Sequence, residues 1–422
     1  MNAMNTLFDA IVIGAGQAGL ATGYHLQQAG LRFLILEAGR EPVGSWPYFY
    51  DSLALNSAAR YSSLPGLPFA GDPDHYPVRD EVVAYLRNYA AHFNLPILTG
   101  TRVSKVQRIG RLFRVVIQDQ DSFMTRTVVA ATGFFGHPVF PDVPGLAQYR
   151  GQVLHTANYR RPDKFEGQRI VIVGNANGAV QIGTELAEVA RVTLATRHPT
   201  RYLPQRFLGR DIHFWLTVSG LDRTQWLGDN SPPVYDNGSY RQAIAAGRPD
   251  QRPMFERFTE NGVVWSDDSQ ETVDTVIFAT GYRPKLPYLA GLGALDEEGR
   301  VLQRRGVSTT VPGLYFVGLP RQRNVASATL RGVGADAKII VEQLWRDSRA
   351  QGRGTRVSQT PLWTSRSSEF LGLISLITLA AKEQLATGNR PAPRLVGEAV
   401  TRSAIVGAGF LGIGHAAALY TQ

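Results

Sequence analysis

The sequence predicts an α/β protein with two Rossmann-like dinucleotide-binding domains of three layers, the second inserted into the first. One observation is the stretch Phe8–Glu37, which runs in the order apolar strand, glycine turn, helix and strand. The other is the return of this order between Arg169 and Thr196, although the residues differ. Because each such βαβ unit holds one dinucleotide at the N-terminus of its helix, two units indicate two dinucleotides.

The first unit carries an intact glycine fingerprint. Its elements are the strand Phe8–Ile13, the turn Gly14–Gly19, the helix Leu20–Gln28 and the strand Leu31–Glu37. Gly14 makes the tight turn, Gly16 lets the backbone approach the pyrophosphate, and Gly19 lets the helix pack closely on the strand. The helix N-terminus offers N–H groups to the diphosphate, and Glu37 can accept a hydrogen bond from a ribose 2′-hydroxyl. This unit alone does not distinguish FAD from NAD.

The second unit departs from this pattern at its turn. Its elements are the strand Ile170–Val173, the turn Gly174–Ala179, the helix Val180–Ala190 and the strand Val192–Thr196. Ala176 replaces the second glycine of the fingerprint and Ala179 the third. An alanine at the middle position puts a Cβ where backbone would meet the pyrophosphate, so we expect weaker or displaced binding there. Arg197 follows the last strand, where an arginine can hold a 2′-phosphate.

The composition excludes several kinds of site. The 422 residues include no cysteine, which rules out a disulfide, a Cys-ligated metal and a redox dithiol within the chain. The net charge is +9, but no basic run indicates nucleic-acid binding. Met1–Leu7 has no features of a secretory signal, and the longest apolar stretch, Phe370–Ala381, is too short to span a bilayer. We expect a cytoplasmic protein without a membrane span or metal site. The sequence leaves open whether the protein is a homodimer.

The rest of the chain is organised around these two units. The further predicted elements are a helix at Arg79–Phe93, antiparallel strands at Arg111–Ile117 and Thr125–Ala131, and strands returning to the first domain at Thr272–Thr280 and Gly313–Val317. The first domain is predicted to contain residues 1–150 and 270–345, and the second residues 151–269, with loops and short helices over the site at 199–253. Residues 346–422 are predicted to be a linker and a C-terminal extension. Within this extension, Gly407–Gly412 repeats the glycine pattern without a following strand.

Further segments occur in an order and spacing that match a known family. They are Val43-Gly44-Ser45-Trp46, Tyr50–Ser57 with Asn56, Ala131-Thr132-Gly133, Tyr149–Tyr159 with His155, Ala279-Thr280-Gly281, and Gly313–Leu319. Over roughly residues 5–345, the chain resembles the class B flavoprotein monooxygenases. Tyr159, Tyr61–Gly66 and Arg201–Pro204 make it most similar to the flavin-containing-monooxygenase-like bacterial subgroup called CzcO-like.

This resemblance implies FAD in the first domain and NADPH in the second. It implies an NADPH- and O2-dependent monooxygenase that oxygenates a small soft nucleophile through a C4a-hydroperoxyflavin. Asn56 falls on the family's active-site asparagine, where a neutral amide can hydrogen-bond flavin or peroxide, whereas His155 is expected to be a hinge residue rather than a base. The implied cofactor contacts are Gly14, Gly16, Gln17, Ala18, Gly19, Glu37, Ala38, Gly44, Ser45, Trp46, Asn56, Ala131, Thr132, Gly133, Gly174, Asn175, Asn177, Gly178, Arg197, Ala279, Thr280, Gly281, Gly318 and Thr329.

Three other functions stay open at this point. Baeyer–Villiger oxidation of a ketone uses the same fold, but those enzymes usually carry tryptophan where this chain has Tyr159. A flavin disulfide reductase with its own dithiol is disfavoured by the lack of cysteine. An NADPH oxidase or sensor with a degenerate nicotinamide site is motivated by Ala176.

Overall fold

A computed structural model of the chain describes residues 6–118, 121–224 and 233–350. These residues belong to one compact unit, Met1–Gly354. The apolar stretch Phe370–Ala381 and the third glycine turn, Gly407–Gly412, lie outside the described residues. Within the described ranges, no helix combines the length and apolarity needed to cross a membrane.

The first sheet is mixed and contains nine strands of the described chain. Its strands are β1 (Leu7–Ile13), β2 (Phe33–Leu36), β3 (Ile97–Leu98), β4 (Val103–Ile109), β5 (Leu112–Ile117), β6 (Ser122–Ala130), β19 (Gln303–Arg304), β20 (Val307–Ser308) and β21 (Leu314–Phe316). The order across the sheet is β19-β20-β21-β6-β1-β2-β3, and β4 and β5 extend from β6. The strands from β21 to β3 pair in parallel, whereas β4–β5–β6 and β19–β20–β21 are antiparallel.

The second sheet contains five parallel strands of the described chain. They are β7 (Gln152–His155), β8 (Arg169–Val173), β9 (Arg191–Thr196), β14 (Asp250–Pro253) and β18 (Thr275–Phe278), in the order β14-β9-β8-β18-β7. The strand predicted at Thr272–Thr280 is β18, and it pairs with β7 and β8. The prediction that this strand returns to the first domain is therefore wrong, because an apolar strand of this length fits the core of either sheet. The domain limits themselves stay a prediction.

Small sheets replace part of the region predicted as loops and short helices. They are the pair β10 (Tyr202–Pro204) and β13 (Val234–Asp236), and the hairpin β11 (Arg206–Phe207) and β12 (Arg210–Asp211). A third small sheet, of β15 (Arg257–Phe258), β16 (Gly262–Val264) and β17 (Gln270–Thr272), follows beyond that region. The first two lie between β9 and β14, on the segment that connects neighbouring strands of the second sheet.

Six α-helices occur in the described residues. They are α1 (Gln17–Gln28), α2 (Arg79–His92), α3 (Asn177–Leu186), α4 (Ile212–Ser219), α5 (Ser239–Ala245) and α6 (Leu330–Ala350). Both nucleotide-unit helices begin earlier than predicted, because their first turns lie inside the glycine segments. Helix α6 has no counterpart among the predicted elements, and it runs into the linker predicted from residue 346. Leu330, Val333, Ala337, Ile340 and Leu344 recur at intervals of three and four residues, which is the pattern that indicates such a helix.

The first sheet is buried on both faces, as the predicted three-layer arrangement requires. On β1, Ala10 and Val12 contact a cluster that contains apolar residues of α1, α2 and α6. The alternate residues, Ile11 and Ile13, contact a second cluster that contains residues of β5 and β21. Because successive side chains on a strand point to opposite faces, this division explains why β1 is apolar along its length.

Candidate active site

The first glycine turn is sterically fixed at two of its three glycines. Gly14 has a φ of +102°, and a Cβ there would lie 2.7 Å from the carbonyl oxygen of Ala131. A Cβ on Gly19 would lie 1.8 Å from the carbonyl oxygen of Gly14. Glycine is required at both positions, so helix α1 packs directly on the turn. A Cβ on Gly16 would make only an ordinary 3.6 Å contact, with the Cα of Gly44.

Segments distant in sequence meet at the N-terminus of α1. The indole Nε1 of Trp46 donates to Oε1 of Gln17 at 2.8 Å, and Nε2 of Gln17 donates to the carbonyl oxygen of Ala328 at 3.1 Å. A Cβ on Gly318 would lie 2.7 Å from the Cβ of Ala18. The fold thus brings together several of the residues that the sequence placed at the flavin.

Glu37, at the end of the first unit, is hydrogen-bonded to the glycine turn of the same unit. Its Oε2 accepts a hydrogen bond from the backbone N–H of Ala15 at 2.6 Å, and its Oε1 accepts one from the N–H of Gly39 at 2.6 Å. Glu37 as a residue is 8% exposed. Because each carboxylate oxygen has two lone pairs, Glu37 keeps acceptor capacity for a ribose hydroxyl.

The second turn repeats the backbone geometry of the first. Gly174 has a φ of +145°, and a Cβ there would lie 2.7 Å from the carbonyl oxygen of Ala279. This is the same distance that a Cβ on Gly14 would have from the carbonyl oxygen of Ala131. Ala176 is the N-cap of α3 with φ −96° and ψ −179°, close to the values of −74° and −172° at Gly16. The middle position is therefore extended in both units, and its backbone does not require glycine.

The two alanine–threonine–glycine segments occupy equivalent places after β6 and β18. Thr132 Oγ1 lies 3.0 Å from the hydroxyl of Tyr288, and Thr280 Oγ1 donates to the carbonyl of Val139 at 2.5 Å. Gly133 and Gly281 have φ of +67° and +79°, and a Cβ on either would meet no atom of the described residues within 4 Å, apart from its chain neighbours. Each segment therefore borders the glycine turn of its own sheet on an open side.

Side chains proposed for the second dinucleotide connect its turn to neighbouring segments. Asn175 Nδ2 donates to the carbonyl of His198 at 3.0 Å. Asn177 Oδ1 accepts from the N–H of Tyr235 at 3.0 Å and its Nδ2 donates to the carbonyl of Pro233 at 3.2 Å. Arg197 is exposed directly after β9, at the same sheet edge as the turn. Gly178 lies in the first turn of α3, where a Cβ would meet no atom of the described residues within 4 Å outside the backbone of its own helix.

Three predicted contact residues lie at the margins of the first site. Ala38 is exposed just beyond Glu37, and Ser45 precedes the short 3-10 turn Trp46–Tyr48. The hydroxyl of Thr329 donates to the carbonyl of Ala326 at 2.6 Å and accepts from the N–H of Gly332 at 3.2 Å, so it caps the start of α6.

A hydrogen-bonded relay joins the first unit to the second. Tyr50 donates its hydroxyl to Oε1 of Gln181 at 2.5 Å, and Nε2 of Gln181 donates to Oδ1 of Asn56 at 3.3 Å. Tyr50 and Asn56 lie in the loop after the first unit, whereas Gln181 lies on α3 of the second. Gln181 was not among the predicted site residues, because nothing in its sequence neighbourhood marks it as a partner of Asn56.

The relay fixes the orientation of the Asn56 amide. Because the Tyr50 hydroxyl is a donor here, Gln181 must turn its oxygen toward Tyr50 and its NH2 group toward Asn56. Asn56 then accepts with its oxygen, and Nδ2 has no hydrogen-bond partner within the described ranges. Burial is the main cause that raises the pKa of Tyr50 far above its ordinary value, so Tyr50 stays protonated and has the proton that this hydrogen bond requires.

His155 is held on both nitrogens and is fully buried. Its Nδ1 accepts from the N–H of Ala157 at 3.1 Å, and its Nε2 lies 3.1 Å from the carbonyl of Gly281, to which it donates. Burial lowers the pKa of His155, which favours the neutral ring. Neither nitrogen is available as a base, which supports the expected hinge role between β7 and the Ala279–Gly281 segment.

The structure thus contains two sites of the same kind, and we call each glycine-bounded turn at the N-terminus of a helix a cradle. Two cradles in one chain define the class of flavoprotein oxidoreductases that bind two dinucleotides. The residues fit both dinucleotides: glycine is sterically required at Gly14, Gly19 and Gly174, and among the described residues there is open space beside Gly133 and Gly281. The relay between Asn56 and Gln181 places the two cradles side by side.

Comparisons with known proteins agree with this class. The family model described as pyridine nucleotide-disulphide oxidoreductase matches residues 11–222. An uncharacterized CzcO-like oxidoreductase from Geobacillus kaustophilus is 34% identical over 348 residues, 81% of this chain and 99% of that protein. The CzcO oxidoreductase of Bacillus subtilis is 34% identical, over 80% of this chain and 99% of its own length. The solved flavin-containing monooxygenase from Stenotrophomonas maltophilia is 34% identical with a TM-score of 0.72, over 80% of this chain and 98% of that one.

The chain therefore belongs to the CzcO-like, flavin-containing-monooxygenase-like oxidoreductases of the pyridine nucleotide-disulphide oxidoreductase family. The predicted family resemblance is confirmed. The protein is an FAD-dependent oxidoreductase, with FAD and NADPH as its cofactors. With no cysteine in the sequence, it has no redox dithiol of its own, in contrast to what the name of the wider family suggests.

Proposed function

We propose that this protein is an NADPH- and O2-dependent monooxygenase that transfers one oxygen atom to a small soft nucleophile at nitrogen, sulfur or arsenic. The bound flavin would supply the chemistry by forming a C4a-hydroperoxyflavin. The chain's contribution is to bind both dinucleotides, exclude water and direct hydrogen-bond donors at the reacting oxygen.

The relay from Tyr50 through Gln181 to Asn56 is the observation that supports this proposal most directly. It leaves the two N–H donors of Nδ2 available, and it does so with a neutral group. A neutral amide donates a hydrogen bond without acting as an acid, so it can stabilise a bound peroxide without removing its proton. An aspartate or histidine at the same place would exchange protons near neutral pH or carry charge.

The alternatives receive less support from the contacts. Tyr159 is fully buried and donates to Oε2 of Glu185 on α3 at 2.7 Å, a bond that the tryptophan usual in Baeyer–Villiger enzymes would not reproduce in the same form. An NADPH oxidase or sensor remains the second candidate because Ala176 stands at the middle of the second turn. The extended backbone of Ala176, similar to that of Gly16, favours a working site instead.

One experiment tests the proposed function. The purified protein is reduced anaerobically with NADPH and then mixed with O2 while the flavin spectrum is followed. We expect rapid reduction, then absorbance of the C4a-hydroperoxyflavin that persists without substrate and disappears faster with a dialkyl sulfide, an amine or arsenite. Failure of NADPH to reduce the flavin would contradict the proposal, whereas immediate release of hydrogen peroxide would favour the oxidase.

Arg197 is expected to select NADPH over NADH. Val173 of β8 is in register with Ala195 of β9, so Arg197 emerges next to the turn, and Asn175 bonds the residue that follows it. A charge-assisted hydrogen bond to phosphate contributes about 1.5–3 kcal/mol, so Arg197→Ala should raise KM for NADPH by about 10- to 150-fold. KM for NADH should stay the same. Arg191→Ala, at the opposite end of β9, is the matched control, and equal effects in both variants would refute this role.

A further inference from the structure

An apolar side chain is held in a strained turn facing water. The hairpin of β11 and β12 turns through Leu208 and Gly209, whose φ values are +48° and +73°. A two-residue turn with positive φ at both positions usually contains asparagine and glycine, because a bulky side chain is strained there. Leu208 is nevertheless 54% exposed. Local stability does not explain this leucine, since asparagine would relieve the strain and remove an apolar group from water.

Helix α4 extends the apolar character of this turn. The indole Nε1 of Trp215 donates to the carbonyl of Phe207 at 2.9 Å, and the two rings lie 6.1 Å apart edge to face. Val218, one helical turn beyond Trp215, is 49% exposed. We use the name tip surface for the residues Phe207, Leu208, Phe214, Trp215 and Val218. The hairpin and the helix are thus joined into one apolar projection.

The charge beside the tip surface is positive. Arg206 and Arg210 flank the turn, and both are exposed. The guanidinium of Arg210 lies 5.5 Å from the ring centre of Phe214. The carboxylates in the adjoining cleft are Asp74, which pairs with Arg60 at 2.8 Å, and the buried Asp211, which accepts from His213 and Tyr76.

We propose that the tip surface docks this enzyme on the surface of an anionic phospholipid bilayer. The exposed side chains of Leu208 and Val218, and the half-buried aromatic rings beside them, can enter the interface, while Arg206 and Arg210 contact lipid phosphates. A protein partner is disfavoured because a specific interface usually buries about 800 Å² on each side, more than a two-residue turn and one face of a two-turn helix offer. A bilayer requires no such shape complementarity. The small size predicts weak, reversible and salt-sensitive binding.

Vesicle co-sedimentation of the full-length, FAD-loaded protein tests this proposal. We expect binding to vesicles of phosphatidylglycerol and phosphatidylcholine in equal parts, none to phosphatidylcholine alone, and loss of binding at about 1 M salt, where the Debye length is about 3 Å. Leu208→Asn should weaken binding by about tenfold while the melting temperature stays the same or rises. This thermal readout separates lost docking from misfolding. Val218→Thr, which keeps the side-chain shape, should also weaken binding.

Ile109→Asn is the matched control, because Ile109 is 44% exposed at the end of β4, beside another hairpin turn. It should leave vesicle binding unchanged. Three results would overturn the proposal: no binding of the parent protein to anionic vesicles, equal losses in the Leu208 and Ile109 variants, or a self-association in gel filtration that Leu208→Asn abolishes without any vesicle binding. The last result would identify the tip surface as an interface between copies of this chain.

Discussion

Replacing Gly19 with alanine is expected to abolish stable FAD binding. A Cβ there would lie 1.8 Å from the oxygen and 2.9 Å from the carbon of the Gly14 carbonyl, so α1 has to move away from the turn. Overpacking costs about 1–3 kcal/mol or more, and the movement displaces the N–H groups that hold the diphosphate. The flavin content after gel filtration, measured from the absorbance spectrum, should fall by at least about tenfold.

Gly178→Ala is the matched control for this substitution. Gly178 also lies in the first turn of a nucleotide-unit helix, but in the part of the chain that the structure describes a Cβ there would meet nothing within 4 Å beyond its own helix backbone. Alanine favours a helix over glycine by about 1 kcal/mol, so the variant should keep its FAD and unfold at the same or a higher temperature. Full flavin content in the Gly19 variant would show that α1 tolerates the shift and that the cradle is less rigid than its geometry indicates.

Replacing Asn56 with alanine is expected to uncouple oxygen activation from oxygen transfer. The change removes the Nδ2 donors and leaves the glycine turns intact, so FAD content and reduction by NADPH should stay close to normal. A hydrogen bond to a neutral group contributes about 0.5–1.5 kcal/mol, so the oxygenated flavin should decay about 2- to 12-fold faster. The measurements are its decay rate in stopped flow and the hydrogen peroxide released per NADPH consumed.

Two further variants define how Asn56 acts. Gln181→Leu keeps Asn56 but removes the donor that orients its amide, so the decay rate should fall between those of the parent and of Asn56→Ala. Asn261→Ala changes an exposed asparagine in the turn before β16 and should behave as the parent protein. If the Asn56 variant keeps coupled turnover, the relay is structural and the proposed donor role is wrong.

The local chemistry of both dinucleotide units could be predicted from the sequence. Glycine turns, the helices that follow them and the acid at Glu37 follow rules that act within about 30 residues. The structure has the predicted strand, turn and helix in each unit, with each helix beginning three residues earlier than predicted. The exclusion of a dithiol also needed only the composition. The resemblance to flavoprotein monooxygenases added the roles of Trp46 and Asn56, which no local rule supplies.

Long-range contacts could not be predicted in the same way. The apolar strand β18 has no residue that specifies its neighbours, and only the register with β7 and β8 assigns it to the second sheet. Gln181 is hydrogen-bonded to Asn56, from which it is separated by 125 positions in the sequence, and Gln17 is hydrogen-bonded to Ala328, 311 positions away. Such pairs depend on how the layers pack, so they appear only when the fold is known.

The contacts of Gln17 and Ala18 have a consequence for the order of events on the ribosome. Gly318, Ala328 and β21 complete a site whose first turn is synthesised at residues 14–19. Gln17 and Ala328 are 311 residues apart in sequence, and the whole second sheet is translated between the first turn and β21. Residues 128–130 of β6 therefore lack their β21 neighbour until late in synthesis, while the inserted unit can fold as it emerges. We therefore expect flavin binding to be one of the last steps in the synthesis and folding of this enzyme.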